Sequence, residues 1–124
     1  MNLSISGKNM KLDDSMKEHI ERRIDFALGR FAARVARVSV TIEDAGGPGG
    51  GIKKRCCILV KLDRMEEIVV EGTNAEFYDA VALAADRVGR SVQRRLDRRR
   101  TIRRSGRRPE DHDREETEPT PPSA

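Results

Sequence analysis

The chain has 124 residues, 25 Lys+Arg against 21 Asp+Glu for a formal net charge of +4, and no tryptophan. That length suits a single domain with one modest core. No apolar run is long enough to span a bilayer and the opening MNLSISGKNMKL lacks the pattern of a secretory leader, so a cytoplasmic location is expected.

Asn2 to Gly7 alternates polar and apolar side chains through Leu3 and Ile5, which predicts a short strand closed by the glycine. Asp13 is placed to cap a helix and Asp14 suits its first turn. Met16, Ile20, Ile24, Ala27, Leu28 and Phe31 then recur at helical spacing on one stripe. The opposite face mixes Lys17, Glu18, Glu21, Arg22 and Asp25, so it is not a purely basic stripe. Arg37 to Asp44 alternates cleanly, with Val38, Val40 and Ile42 on one side, as a half-buried strand does. The segment AGGPGGG over 45–51 reads as a hairpin loop, because a phosphate-cradling loop would end in GK[ST] and open a helix.

Ile52 to Leu62 predicts a third strand, with Cys56, Ile58, Val60 and Leu62 on one face and Lys53, Arg55, Cys57, Leu59 and Lys61 on the other. Cys56 and Cys57 are the only cysteines, and neighbours on a strand point to opposite faces, so two reduced thiols are expected. With His19 and His112 the only histidines, no zinc-ligand spacing is assembled, and neither metal nor cofactor is expected. Asp63 to Met65 supplies a turn, and Glu66 to Gly72 a fourth strand through Ile68 and Val70. Thr73 with Glu76 fits a capping box that opens a second helix, whose apolar stripe is Phe77, Val81, Ala84, Val88, Val92 and Leu96. Phe77 is a core residue on this reading and Tyr78 is partly exposed. Aromatics are otherwise few, which argues against a single-strand binder that stacks bases on aromatic platforms and favours a partner recognised through its backbone and shape.

The helix leads into QRRLDRRRTIRRSGRRP, where nine arginines between Arg94 and Arg108 face one acid, Asp97. A polyanion, nucleic acid above all, is the partner that such a density of guanidinium fits, whereas a merely solvated charge run is the bland alternative. Residues 109–124 then carry one Arg against six acids, with four prolines and no apolar period. Such a segment cannot bury enough surface to offset the entropy of ordering. The expected organisation is a folded domain over residues 1–98 and a disordered tail over 99–124, first arginine-rich and then acidic.

The order of elements is βαβββα. A right-handed crossover makes the first strand parallel to its neighbour, and short links make the other three strands an antiparallel meander. Each helix has one apolar stripe to bury, and the simplest solution sets both on one face of a four-stranded sheet, an α/β two-layer sandwich. Ile24, Phe31, Val40, Ile58, Val70, Val81 and Val88 are the expected core.

The segments NLSISGKNMKLDDSMKEHIERRI, VSVTIED and EEIVVEGTNAEFYDAVALAADRVGRSVQRRL together resemble the ribosome hibernation-promoting factors, also called ribosome-associated translation inhibitors, over about residues 2–97. The passage VVEGTNAEFYDAVALAADRV carries the most specific part of the likeness. The resemblance implies a fold related to double-stranded RNA-binding domains. It also implies occupation of the mRNA and tRNA path of the small ribosomal subunit, which keeps ribosomes inactive. The glycine-rich loop departs from the common pattern. No second globular sequence follows the arginines, so the resemblance is to short forms and direct pairing of ribosomes is not expected.

By that resemblance, the residues contacting small-subunit rRNA are Lys17, Arg22 and Arg23 on the first helix, and Arg87, Arg90, Arg94 and Arg95 on the second. Lys53, Lys54, Arg55 and Arg98 are auxiliary basic positions. The plain alternative for Lys17 and Arg22 is pairing with Glu18 or Glu21, and for Lys53 to Arg55 protection of an edge strand. Arg87, Arg90 and Arg94 step by three and four residues along one side of the helix. The expected partner is the small subunit or the whole ribosome, with no membrane and no small-molecule substrate, and the chain is expected to be a monomer off the ribosome. A regulatory protein-binding module, such as a modulator of transcription, is the alternative. Enzyme chemistry is not expected, since no Ser/His/Asp or Cys/His constellation appears and Glu76 and Asp86 are lone helix carboxylates.

Overall fold

Two hydrophobic periods, two in the strands and near 3.6 in the helices, put the apolar side chains of each element on one side. In the computed structural model, which describes residues 1–46 and 53–105, those sides meet. The strands are β1 (Asn2–Lys8), β2 (Val35–Asp44), β3 (Lys54–Leu62) and β4 (Glu67–Asn74), in a four-stranded sheet of order β1-β2-β3-β4. β1 runs parallel to β2, and β2, β3 and β4 are antiparallel in turn, as the crossover and short links predict. The register sets Ile5 beside Val40, Val40 opposite Ile58, and Ile58 opposite Val70, so one sheet face is a continuous aliphatic layer.

The helices are α1 (Asp14–Leu28) and α2 (Phe77–Ser105). α1 starts as expected, with Asp13 Oδ1 accepting from Met16 N at 2.8 Å. It buries Ile20, Ile24 and Leu28, while α2 buries Ala80, Val81, Ala84, Val88 and Val92. These meet Val38, Val40, Ile42, Cys56, Ile58, Val60 and Leu62 from the central strands, all buried, so the core lies between sheet and helices. Two glycines allow the close approach. A Cβ on Gly72 of β4 would lie 2.6 Å from Ala84 N and 2.7 Å from Ala80 O, so α2 rests directly on β4. A Cβ on Gly89 would lie 3.2 Å from Ala27 O, which sets α1 against α2.

Contacts divide the chain into Met1–Val92 and a second unit starting at Gln93, which carries the remaining turns of α2, with Leu96 buried. α2 continues to Ser105, beyond the boundary expected at Arg98, because arginine is a good helix former and no glycine or proline intervenes between Gly89 and Gly106. The acidic segment 109–124 and loop residues 47–52 lie outside the described residues.

Three expectations need correction. Phe31 is half-buried because α1 gives way at Gly29 to a 3₁₀ turn (Gly29–Arg34), which breaks the helical spacing; the Arg30 guanidinium lies 4.7 Å from its ring centroid. Val70 faces the helices but sits on the outermost strand and is only half-buried. The lead-in to α2 is not a Thr73 capping box: Thr73 and Asn74 still belong to β4, and Asn74 Oδ1 accepts from Glu76 N at 3.1 Å in an Asx turn. Glu76 then supplies the first helical carbonyl, accepting from Ala80 N at 3.0 Å.

Candidate nucleic-acid interface

The layer of helices brings cations to the surface opposite the sheet. Lys17 and Arg22 of α1 are exposed and Arg23 is half-buried. None of the three forms an ion pair among the described residues, so the pairing with Glu18 or Glu21 allowed by the spacing is not made. Five residues separate Lys17 from Arg22, about 140° around a helix, so the two point to different sides of α1. Arg22 and Arg23 sit together. Both lie beside His19, whose imidazole is held below its usual 6.5 by burial first and by the Arg23 and Arg22 charges second.

On α2, Arg87 and Arg90 are exposed and already engaged. Arg87 Nη1 donates to Glu71 O at 2.7 Å and so satisfies a carbonyl on the outer strand β4. A guanidinium has five N–H donors, so this bond leaves Arg87 donors to spare. Arg90 pairs with Asp86 one turn earlier. Such an exposed pair contributes only about 0.3 to 0.5 kcal/mol and yields readily to a stronger anion. In the second unit, Arg94 is exposed and Arg95 and Arg98 are half-buried.

The auxiliary set divides differently. Lys54 pairs with Asp44 at 3.5 Å and Arg55 with Glu43 at 3.2 Å, each directly across the β2–β3 ladder. β3 is an interior strand, so these residues do not guard an edge. They tie two strands together, whereas Lys53, exposed, stands just before β3 and its carbonyl accepts from Ala45 N at 2.8 Å.

Sequence reasoning missed the basic residues around the far end of α1. Arg34 pairs with Asp63 at 3.3 Å across 29 residues of sequence, a contact that only the fold reveals. Arg64 sits in the left-handed region, φ 66° and ψ 25°, at the β3–β4 turn. It missed Phe26 as well, which is 87% exposed on α1. Cys56 and Cys57 are free thiols. Burial, then the neighbouring Cys57, pushes Cys56 up to about 12, which keeps it protonated and inert as a nucleophile. No group of three or more His, Cys, Asp or Glu among the described residues is placed to hold a metal, and no helix there is long and apolar enough to cross a membrane.

The chain is thus an α+β layer with guanidiniums on its helices and charged cross-strand pairs on its sheet, and comparison with known proteins gives the class. Residues 3–100 match the family described as sigma 54 modulation protein / S30EA ribosomal protein, and the chain belongs to that family. This is the ribosome-associated group of the hibernation-promoting factors, and its members act in translation regulation. The crystal structure of the Thermus thermophilus Protein Y N-terminal domain is similar at a TM-score of 0.64 and 26% identity, over 76% of this chain and 98% of that one. A ribosomal subunit interface protein from Coxiella burnetii shares the fold at a TM-score of 0.65 and 14% identity, over 78% of this chain and 99% of that one. No curated protein matches the chain at the same standard.

Proposed function

We propose that this chain binds the rRNA of the small ribosomal subunit through its helical layer and inhibits translation by occupying the path of mRNA and tRNA. The observation that carries the reading is the set of exposed guanidiniums on the two helices, Arg22 on α1 and Arg87 and Arg90 on α2, in a chain of a ribosome-associated family. Arginine engages phosphate oxygens through two parallel N–H bonds, and folded RNA offers backbone and shape more readily than base edges. Arg23 stands beside Arg22 on α1, and Lys17, Arg94, Arg95 and Arg98 are further cations of the two helices that an RNA backbone would attract. Inhibition then needs no chemistry. A domain lodged where mRNA and tRNA must pass blocks both by its volume, and it calls for no cofactor or substrate. The protein acts as a monomer in the cytoplasm, where its ribosomes are.

Sedimentation of a lysate from starved cells through a density gradient tests this. The chain co-migrates with small subunits or whole ribosomes at low salt and is released steeply as salt rises, since each phosphate contact returns counterions. The family description also names sigma 54 modulation, which favours a second reading as a protein-binding regulator of transcription. That contact would be apolar, would survive the salt wash and would leave the ribosomal fractions empty.

A further inference from the structure

α1 carries a second kind of chemistry on the flank that holds Arg22 and Arg23. His19, Arg22, Arg23 and Phe26 are spaced by three and four residues, which puts them on one side of the helix. Phe26 is 87% exposed, outside the stripe that buries Ile20, Ile24 and Leu28. At the other end of this row, the His19 ring meets Tyr78 of α2 edge to face, with centroids 4.5 Å apart and planes at 87°. Tyr78 is held in turn by Phe77, at 4.9 Å and 84°, yet remains 47% exposed. Arg23 Nε is buried with no hydrogen-bond partner among the described residues.

We infer that this flank is a clamp for two unpaired bases of an RNA strand, one stacked on Phe26 and the other on the His19–Tyr78 pair, with the intervening phosphate at Arg22 and Arg23. His19 and Phe26 are seven residues apart, a rise of about 10 Å along the helix, and the two arginines lie midway. That order of ring, cation, ring matches the order of base, phosphate, base. An exposed phenylalanine alone means little, because single surface apolar residues are normal. Beside two guanidiniums that no acid pairs among the described residues, it has a suitable partner in a π-face that carries negative charge next to it. A protein partner would need a wider apolar surface around Phe26 than this row provides. Tyr78, fixed by its neighbours, loses little conformational freedom when a base stacks on it. The inference rests on the reading of this chain as an rRNA binder, and adds to it contacts that do not depend on charge.

The test titrates fluorescently labelled full-length chain with purified small ribosomal subunits at several salt concentrations. Phe26→Leu keeps an apolar side chain without a ring, and Phe26→Tyr keeps the ring. Leu lowers affinity roughly 5- to 100-fold at every salt concentration with the slope against salt unchanged, whereas Tyr stays within about twofold of wild type. Tyr78→Leu against Tyr78→Phe gives the same split, and unchanged melting temperatures confirm that all four variants are folded. Wild-type affinity in Phe26→Leu, equal losses in Leu and Tyr, or a loss accompanied by a flatter salt slope would each overturn the clamp while leaving rRNA binding in place. Failure of the wild-type chain to bind small subunits would overturn the functional reading and the clamp together.

Discussion

Gly72→Ala tests how closely α2, the helix that carries Arg87 and Arg90, lies on the sheet. The new Cβ would sit 2.6 Å from Ala84 N, 2.7 Å from Ala80 O and 3.1 Å from Leu83 Cβ. Two of these atoms are backbone and cannot rotate away. Ordinary contact is about 3.5 Å, so helix and strand must part by nearly 1 Å. Overpacking of this kind costs about 1 to 3 kcal/mol, offset in part by the 0.4 to 1 kcal/mol that alanine gains over glycine in the unfolded chain. Taking the middle of both ranges, the net loss is about 1.3 kcal/mol, which for a domain of this size lowers Tm by roughly 5 to 10 °C. Gly29→Ala is the control. Its backbone is helical, φ −55° and ψ −38°, and nothing lies within 4 Å of the added methyl. It should stabilise by about 0.4 to 1 kcal/mol. Urea and thermal unfolding of both variants, followed by circular dichroism, decide the matter. A Gly72→Ala chain as stable as wild type, or a shift of the same sign in both variants, would refute the close packing of α2 on β4.

Removing Asp86, the partner of Arg90, should help RNA binding: Asp86→Asn frees that guanidinium and tightens small-subunit affinity about two- to fivefold at low salt, at a stability cost of no more than about 0.5 kcal/mol. Weaker binding in an equilibrium titration would show that the pair positions Arg90 for its task. Cys56 makes stability fall in alkali. Its folded value of about 12 lies above the ordinary 9.0, so the unfolded chain loses its proton first, and stability declines as pH rises between those values. In denaturation at stepped pH, Cys56→Ala should lose that component of the decline, and an identical pH profile in wild type and variant would contradict it.

Most of the fold was legible because its signals are local. Asp13 caps α1 by a bond three residues long, and the alternation through Val38, Val40 and Ile42 fixed which face of β2 is buried. What escaped depends on neighbours distant in sequence or on geometry at element ends. Asn74 rather than Thr73 turns the chain into α2 because β4 keeps its pairing with β3 through Asn74. Phe31 fits the periodicity of α1 and still misses the core, since the helix tightens to 3₁₀ before reaching it. The cations of the candidate interface could be named from the sequence, but not their engagements. Arg87 on a β4 carbonyl and Arg55 on Glu43 follow from packing and register alone. The exposure of Phe26 was within reach of the sequence, since the stripe through Met16, Ile20, Ile24, Ala27 and Leu28 leaves it on the opposite side of α1.

The measurement that bears most directly on the account is inhibition of a reconstituted translation reaction by full-length chain with Arg87, Arg90 and Arg94 all changed to Glu. These are solvent-facing helix positions, so each reversal should alter stability by less than about 0.5 kcal/mol, and a melting curve confirms that the variant is folded. The account predicts that wild type stops translation and co-sediments with small subunits, and that the folded triple variant does neither. A folded triple variant that still inhibits at wild-type concentrations would contradict it and move the contact to α1, around Lys17, Arg22 and Arg23.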